Sequence, residues 1–339
     1  MSKQIIGLEW AVVDRFIEFP PEQLETMLQP HDGGPKLHFH SLPTSVLQRY
    51  YGRYPGLAIA GGTMVNMLAN VAALGGATGL IAVTGPDPIG DVARRNLARR
   101  NIAQLVPTQV DAISPAIYVC RQPDGDVLYN VAPGTSRAGL TADMLLEAVP
   151  DPANSIIATQ INFMTHRDIA PEVSEALAGL RARGAQLAIG LQCVERDGIN
   201  RTHPYADSLL KPDYMFGNAA EYAAWRAVAP AALNGSLLND LSCETGAVYI
   251  MTKGSNGIEA FDNKAHVMQA AAPIDEIVCT VGAGDAVMGG VLYALSQEKS
   301  IPQALKLAAL CAREALMHEG GQPSRTEPGH LRHLPDAKL

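Results

Sequence analysis

At 339 residues with 47% apolar content, the chain is long enough for one large α/β domain with a sizeable core. A formal charge of -8, with no run of Lys or Arg, gives no electrostatic footprint for nucleic acid or an anionic membrane and points to small-molecule chemistry. Cys120, Cys193, Cys243, Cys279 and Cys311 are scattered, odd in number and never in a C-x-x-C pair, which argues against a disulfide framework and a zinc site and fits a reducing cytoplasm.

The N-terminal run MSKQIIGLEWAVVDRF is cut by Glu9 and Asp14, too short for a signal h-region, and GLEWAVVD reads as a strand ending at Asp14. No window is apolar for long enough to span a bilayer. Residues 15–60 are rich in Pro, His and Gly. With AIYVCRQPDGDVLYNV (116–131), a hairpin around Pro-Asp-Gly-Asp, they are expected to form a small β-rich flap. His31, His38 and His40 cluster in this insertion without a Cys beside them, so a polar loop is preferred to a metal site.

Gly61-Gly62-Thr63-Met64-Val65-Asn66 precedes an Ala-rich helical stretch; paired glycines let a backbone approach a ligand, or simply make a tight loop. TGLIAV (78–83), SIIATQI (155–161), QLAIGL (186–191) and AVYIMTKG (247–254) read as strands. Each is followed by a helical pattern, for example from Gly90, from Pro171 to Gly184 and after Asn218. This order predicts βαβ units around a parallel sheet. Asn218-Ala219-Ala220-Glu221 sets an amide and a carboxylate one turn apart, suited to Mg²⁺ through waters and equally to a capped helix start. Thr252, Gly254 and Gly257 form a T-x-G-x-x-G turn with backbone room for a nucleotide, a pattern more often a plain hairpin turn. In CTVGAGDAVMGG (279–290), Gly282, Ala283 and Gly284 are expected at a helix N-terminus, whose free N–H groups and dipole attract an anion. The tail after Gly320, polar and rich in proline, reads as a surface extension.

These motifs, taken in order, resemble the ribokinase-like (PfkB) family of sugar and nucleoside kinases over nearly the whole chain. The family's late D-T-x-G-A-G-D signature stands as Cys279-Thr280-Val281-Gly282-Ala283-Gly284-Asp285, its G-G…N motif as Gly61, Gly62 and Asn66, and its N-x-x-E as Asn218 and Glu221. The resemblance implies one three-layer α/β/α domain over 1–339, with a mainly parallel sheet and a β-rich lid from roughly 15–60 and 112–137. It also implies ATP and Mg²⁺, with Asp285 as catalytic base, Gly282 to Gly284 as anion hole, and Thr252, Gly254 and Gly257 at ATP. Asp14, Gly61, Gly62 and Asn66 would hold the acceptor, and a homodimer through the lid is expected. The 47 positions from Asp14 to Gly61, with GLEWAVVD, AGGTMVN and Ala132-Pro133-Gly134, are most similar to bacterial inosine-guanosine and adenosine kinases. A sugar kinase and a non-catalytic nucleotide or nucleoside sensor stay open as alternatives. An oxidoreductase is disfavoured, since no G-x-G-x-x-G follows the first strand.

Two positions depart from the family. Cys279 replaces the Asp that in many relatives helps bind a monovalent cation, so potassium activation is doubtful. Val287 replaces the usual Phe, a change of packing. Cys279 is expected to be buried and inert, and Arg137 is as well suited to an exposed structural role as to a phosphate contact.

Overall fold

The computed structural model describes residues 2–29, 38–51, 56–121, 127–166, 168–192, 194, 211–228, 235–263 and 265–333. In chain order its strands are β1 (Gln4–Leu8), β2 (Val12–Ile17), β3 (Ala58–Gly61), β4 (Thr78–Ile81), β5 (Ala103–Gln104), β6 (Ala116–Arg121), β7 (Val127–Ala132), β8 (Ser155–Gln160), β9 (Gln186–Gly190), β10 (Tyr214–Asn218), β11 (Val248–Thr252), β12 (Ile258–Asp262) and β13 (Ala265–Gln269). Nine of them form one sheet in the order β13-β12-β11-β10-β9-β8-β1-β4-β5. It is parallel throughout except where β12 and β13 add an antiparallel edge. Every residue of β4 and β8 is buried, as strands covered on both faces must be.

Side-chain alternation divides β1 between two cores: Ile5 joins one, Ile6 and Leu8 the other. The first core is closed by the helices Thr63–Ala73, Pro88–Arg99, Ala283–Ser296 and Ile301–Leu316. The second is closed by Ala142–Glu147, Ala170–Ala182, Ala219–Arg226 and Gly235–Thr245. The expected α/β/α layering with a mainly parallel sheet is therefore present. Thr63–Ala73 is buried at all its positions, which makes it the central helix of its layer.

The remaining strands form a four-stranded sheet, β3-β2-β6-β7. The 116–131 hairpin is observed: Ala116 pairs with Ala132 and Arg121 with Val127, while its Pro-Asp-Gly-Asp tip lies outside the described residues. Three expectations need correction. GLEWAVVD is two strands in two sheets: β1 stops at Leu8, and Asp14 sits inside β2, opposite Ile59 and Ile117. The stretch between Asp14 and Gly61 is not wholly β-rich, since it holds helices at Pro21–Leu28 and Thr44–Tyr51. The tail is a surface extension only in part: residues 324–328 are exposed, but residues 320–323 are buried, Arg100 donates to the Pro323 carbonyl at 3.1 Å, and the Gly329 N–H donates to the Ala72 carbonyl at 3.1 Å. Polar composition misled because backbone and amide groups there are satisfied inside the protein.

Candidate active site

Asp285 lies in the first turn of the Ala283–Ser296 helix, whose N-cap is Gly282 at φ 81. Gly282 is required twice over. The left-handed φ favours glycine, and a Cβ there would lie 2.4 Å from the Gly321 Cα. The tail thus presses backbone to backbone on the helix entrance.

Asp285 Oδ2 accepts from Asn66 Nδ2 at 2.9 Å, and the Thr63 hydroxyl is within hydrogen-bond reach of both Asp285 and Gln192. The residues come together because β3 delivers Gly61 and Gly62 to the start of the Thr63–Ala73 helix, which packs against the helix carrying Asp285. Asp14 reaches the same place across β3. A Cβ on Gly61 would lie 1.8 Å from Asp14 Oδ2, so only glycine leaves room for that carboxylate. Glu9, in the crossover from β1 to β2, accepts from the Met64 N–H and from Gln160 Nε2, both at 2.7 Å.

Three carboxyls therefore share one site, and all are pushed up. Burial raises Asp285 to about 6, with the Glu221 charge adding to it against the Asn66 and Thr63 hydrogen bonds. Burial and the Asp285 charge raise Asp14 to about 7, opposed by a hydrogen bond from Gly62. Burial raises Glu9 to about 8, with Asp285 and Asp14 adding to it against the Met64 N–H. Asp285 keeps some surface open to the cleft, as a proton acceptor needs.

Two cavities flank this helix start. The first, about 370 Å³, is lined by Glu9, Asp14, Asn66, Gln160, Asn162 and Asp285 on its polar side. The small sheet supplies its apolar wall, Phe16, Ile117, Val119, Tyr129 and Val131. The second, about 560 Å³, is lined by Thr252, Gly254, Gly257, Ala283, Gly284 and Arg313, with Ala271, Pro273, Ile277 and Val287 among its apolar residues. Gly282 and Asp285 face the first cavity, Ala283 and Gly284 the second.

Asn218 and Glu221 form a reciprocal capping box: Glu221 N donates to Asn218 Oδ1 at 2.9 Å and Asn218 N to Glu221 Oε2 at 2.8 Å. Both are hard oxygen donors at a strand's C-terminal end, and the charge of Glu221 is felt at Asp285, a donor set that fits water-mediated Mg²⁺. Cys279 is half-buried rather than buried, and Val287 is buried in the core. The His38 and His40 rings stack at 5.4 Å, and among the described residues no group of three or more His, Cys, Asp or Glu could hold a metal. His31 and Cys193 lie outside the described residues, as does the Arg137 side chain.

Sequence reasoning missed Glu9, Thr63, Gln160, Gln192 and Gln322 as site residues. Glu9 had a signal, a carboxylate inside an apolar run. Gln322 had none, since its tail reads as solvated.

The folded chain is that of a ribokinase-like α/β protein. It superposes on the adenosine kinase of Sinorhizobium meliloti with a TM-score of 0.76 at 19% identity, covering 96% of this chain and 97% of that one. On the fructokinase with bound ATP from Xylella fastidiosa the TM-score is 0.74 at 19% identity, covering 98% of each chain. In sequence, it is 25% identical over 273 residues to the ATP-dependent ribose-1-phosphate kinase of Halopiger xanaduensis, 78% of this chain and 83% of that one. The profile of the pfkB family carbohydrate kinases matches residues 58–328, and the chain belongs to that family, whose members are ATP-dependent phosphotransferases acting on sugar or nucleoside hydroxyl groups. No described helix is long and apolar enough to cross a membrane.

Proposed function

We propose that the protein transfers the γ-phosphate of ATP to a hydroxymethyl group of a nucleoside, a purine nucleoside such as inosine, guanosine or adenosine being favoured, with Asp285 as the base. The observation that supports this reading is the helix start shared by two cavities: Asp285 lines one, Ala283 and Gly284 line the other. A hydroxyl hardly ionises near neutral pH, so the acceptor needs a carboxylate to take its proton as its oxygen attacks. The transferred phosphoryl needs donors for the charge it spreads over its oxygens. Gly282 to Gly284 would supply those donors, and Thr252, Gly254 and Gly257 would receive the nucleotide. Asn218 and Glu221 would hold Mg²⁺ through waters. That ion, when bound, neutralises polyphosphate charge. Cys279 offers potassium no hard oxygen.

The lining of the acceptor cavity supports a nucleoside. Its wall of Phe16, Ile117, Val119, Tyr129 and Val131 suits a flat ring, and Asp14 suits a pair of ribose hydroxyls. Asn162 lines the same cavity, and its Oδ1 finds no hydrogen-bond donor among the described residues, so the polar edge of a base can supply one. A sugar kinase is the second reading, which the name of the Halopiger relative favours. A phosphorylated sugar fits poorly, because the described lining carries neither Lys nor Arg to pair with its phosphate.

In this reading the whole chain is one catalytic domain and the small sheet is its lid. The protein is placed in the cytoplasm, where ATP is supplied, and pairs through the lid edges; a monomer mass by light scattering would remove the pairing. The test of function is phosphate transfer from Mg²⁺-ATP to inosine, guanosine, adenosine, cytidine, ribose and fructose, beside Asp285→Asn. Transfer to a nucleoside that drops about 10²- to 10⁴-fold in the variant is expected. Transfer only to free sugars would select the second reading, and silence with retained nucleotide binding would make the protein a sensor.

A further inference from the structure

We infer that Gln322 is a positioning residue for Asp285, acting through Asn66: it fixes which end of the Asn66 amide faces the carboxylate. The inference rests on Asp285 being the base, as proposed above. Gln322 is 3% exposed and sits in the tail segment that Gly320 and Gly321 turn onto the helix entrance. Its Nε2 donates to the Ala60 carbonyl and, at 2.9 Å, to Asn66 Oδ1, while Asn66 Nδ2 donates to Asp285 Oδ2 at 2.9 Å.

The direction of this chain of hydrogen bonds is set at one end. A main-chain carbonyl can only accept, so the Ala60 oxygen requires the NH₂ end of Gln322. That NH₂ then requires the oxygen of Asn66, which leaves the Asn66 NH₂ for Asp285. The reversed Asn66 would set two donors face to face at Gln322 and two acceptors face to face at Asp285. Asn66 is itself 3% exposed, so no solvent relieves either mismatch. Helix geometry does not choose between the two ends, since rotating the amide by half a turn leaves its shape nearly unchanged. The choice comes from a residue 256 positions away in sequence.

The consequence is chemical. With an N–H against it, the Asp285 carboxylate is favoured in the ionised form that can take a proton; with an oxygen against it, it is held protonated. Among the described residues, the charges that couple to Asp285 are those of Glu9, Asp14 and Glu221, and none lies in the tail. A shift caused by Gln322 must therefore pass through Asn66.

The experiment is the pH dependence of kcat and kcat/KM for the best acceptor in the panel, for wild type, Gln322→Met, Asn66→Ala and the double variant, with Asp285→Asn as control. Gln322→Met is expected to move the acid limb up by about one pH unit, which lowers kcat about tenfold below pH 6 and about twofold at neutral pH, with the KM for ATP unchanged. In the Asn66→Ala background it should do nothing further, because its route is gone. An unmoved acid limb, or losses that multiply in the double variant, overturns the inference. If Gln322→Met does not fold, Gln322→Leu removes the donor without adding a charge; its acid limb must also rise, and an unmoved limb again overturns the inference. Normal turnover by Asp285→Asn would instead remove the base on which the inference rests.

Discussion

Asp285 and Glu9 are carboxyls in one cleft, Glu9 buried and Asp285 partly open, and their environments set them different tasks. With its carboxyl near 6, Asp285 is mostly ionised at neutral pH yet basic enough to take a proton, so kcat/KM should fall as pH drops through about 6. A rate that stays flat down to pH 4.5 would exclude Asp285 as the base. Glu9, raised from 4.5 to about 8, has the opposite sign for stability. Its native form holds a proton that the unfolded form releases, so its contribution is complete below 4.5 and is lost as pH rises through about 8. The melting temperature of the unliganded protein should therefore fall more steeply between these values in wild type than in Glu9→Gln. Parallel curves would show that Glu9 is not held protonated.

At the scale of elements, the signature motifs were legible because each occupies one turn: a glycine pair entering a helix, a capped strand end, a helix start with a carboxylate. Local chemistry fixes such turns whatever surrounds them. The split of GLEWAVVD into β1 and β2 was not legible, since alternating apolar residues suit one long strand as well as two short ones, and only Glu9 marks the break. The helices Pro21–Leu28 and Thr44–Tyr51 were hidden by the Pro and His content around them. The burial of 320–323 depends on partners far away in sequence, which no local pattern encodes. The Asp14–Gly61 contact shows how tightly two elements are matched. Gly61→Ala would drive the Asp14 carboxylate off its place, and a rise of roughly ten- to a hundredfold in the acceptor KM is expected, with the KM for ATP unchanged. An unaltered acceptor KM would remove Asp14 from the acceptor site.

For the whole molecule, the order of assembly follows from where the tail ends up. Glu9, Asp14 and Asn66 belong to the first fifth of the chain, but the Gly321 backbone that backs Gly282 and the Gln322 amide that meets Asn66 follow the Ile301–Leu316 helix. At about 5–20 residues per second, a ribosome needs roughly ten to fifty seconds to travel from Asn66 to Gln322. Through most of that interval a growing chain has Glu9, Asp14 and the Asn66 amide, but neither the Asp285 carboxylate nor the backbone that backs Gly282. Phosphate transfer should then switch on all at once, only after Gln322 has been made, so that shorter chains do not draw on the ATP that translation itself consumes.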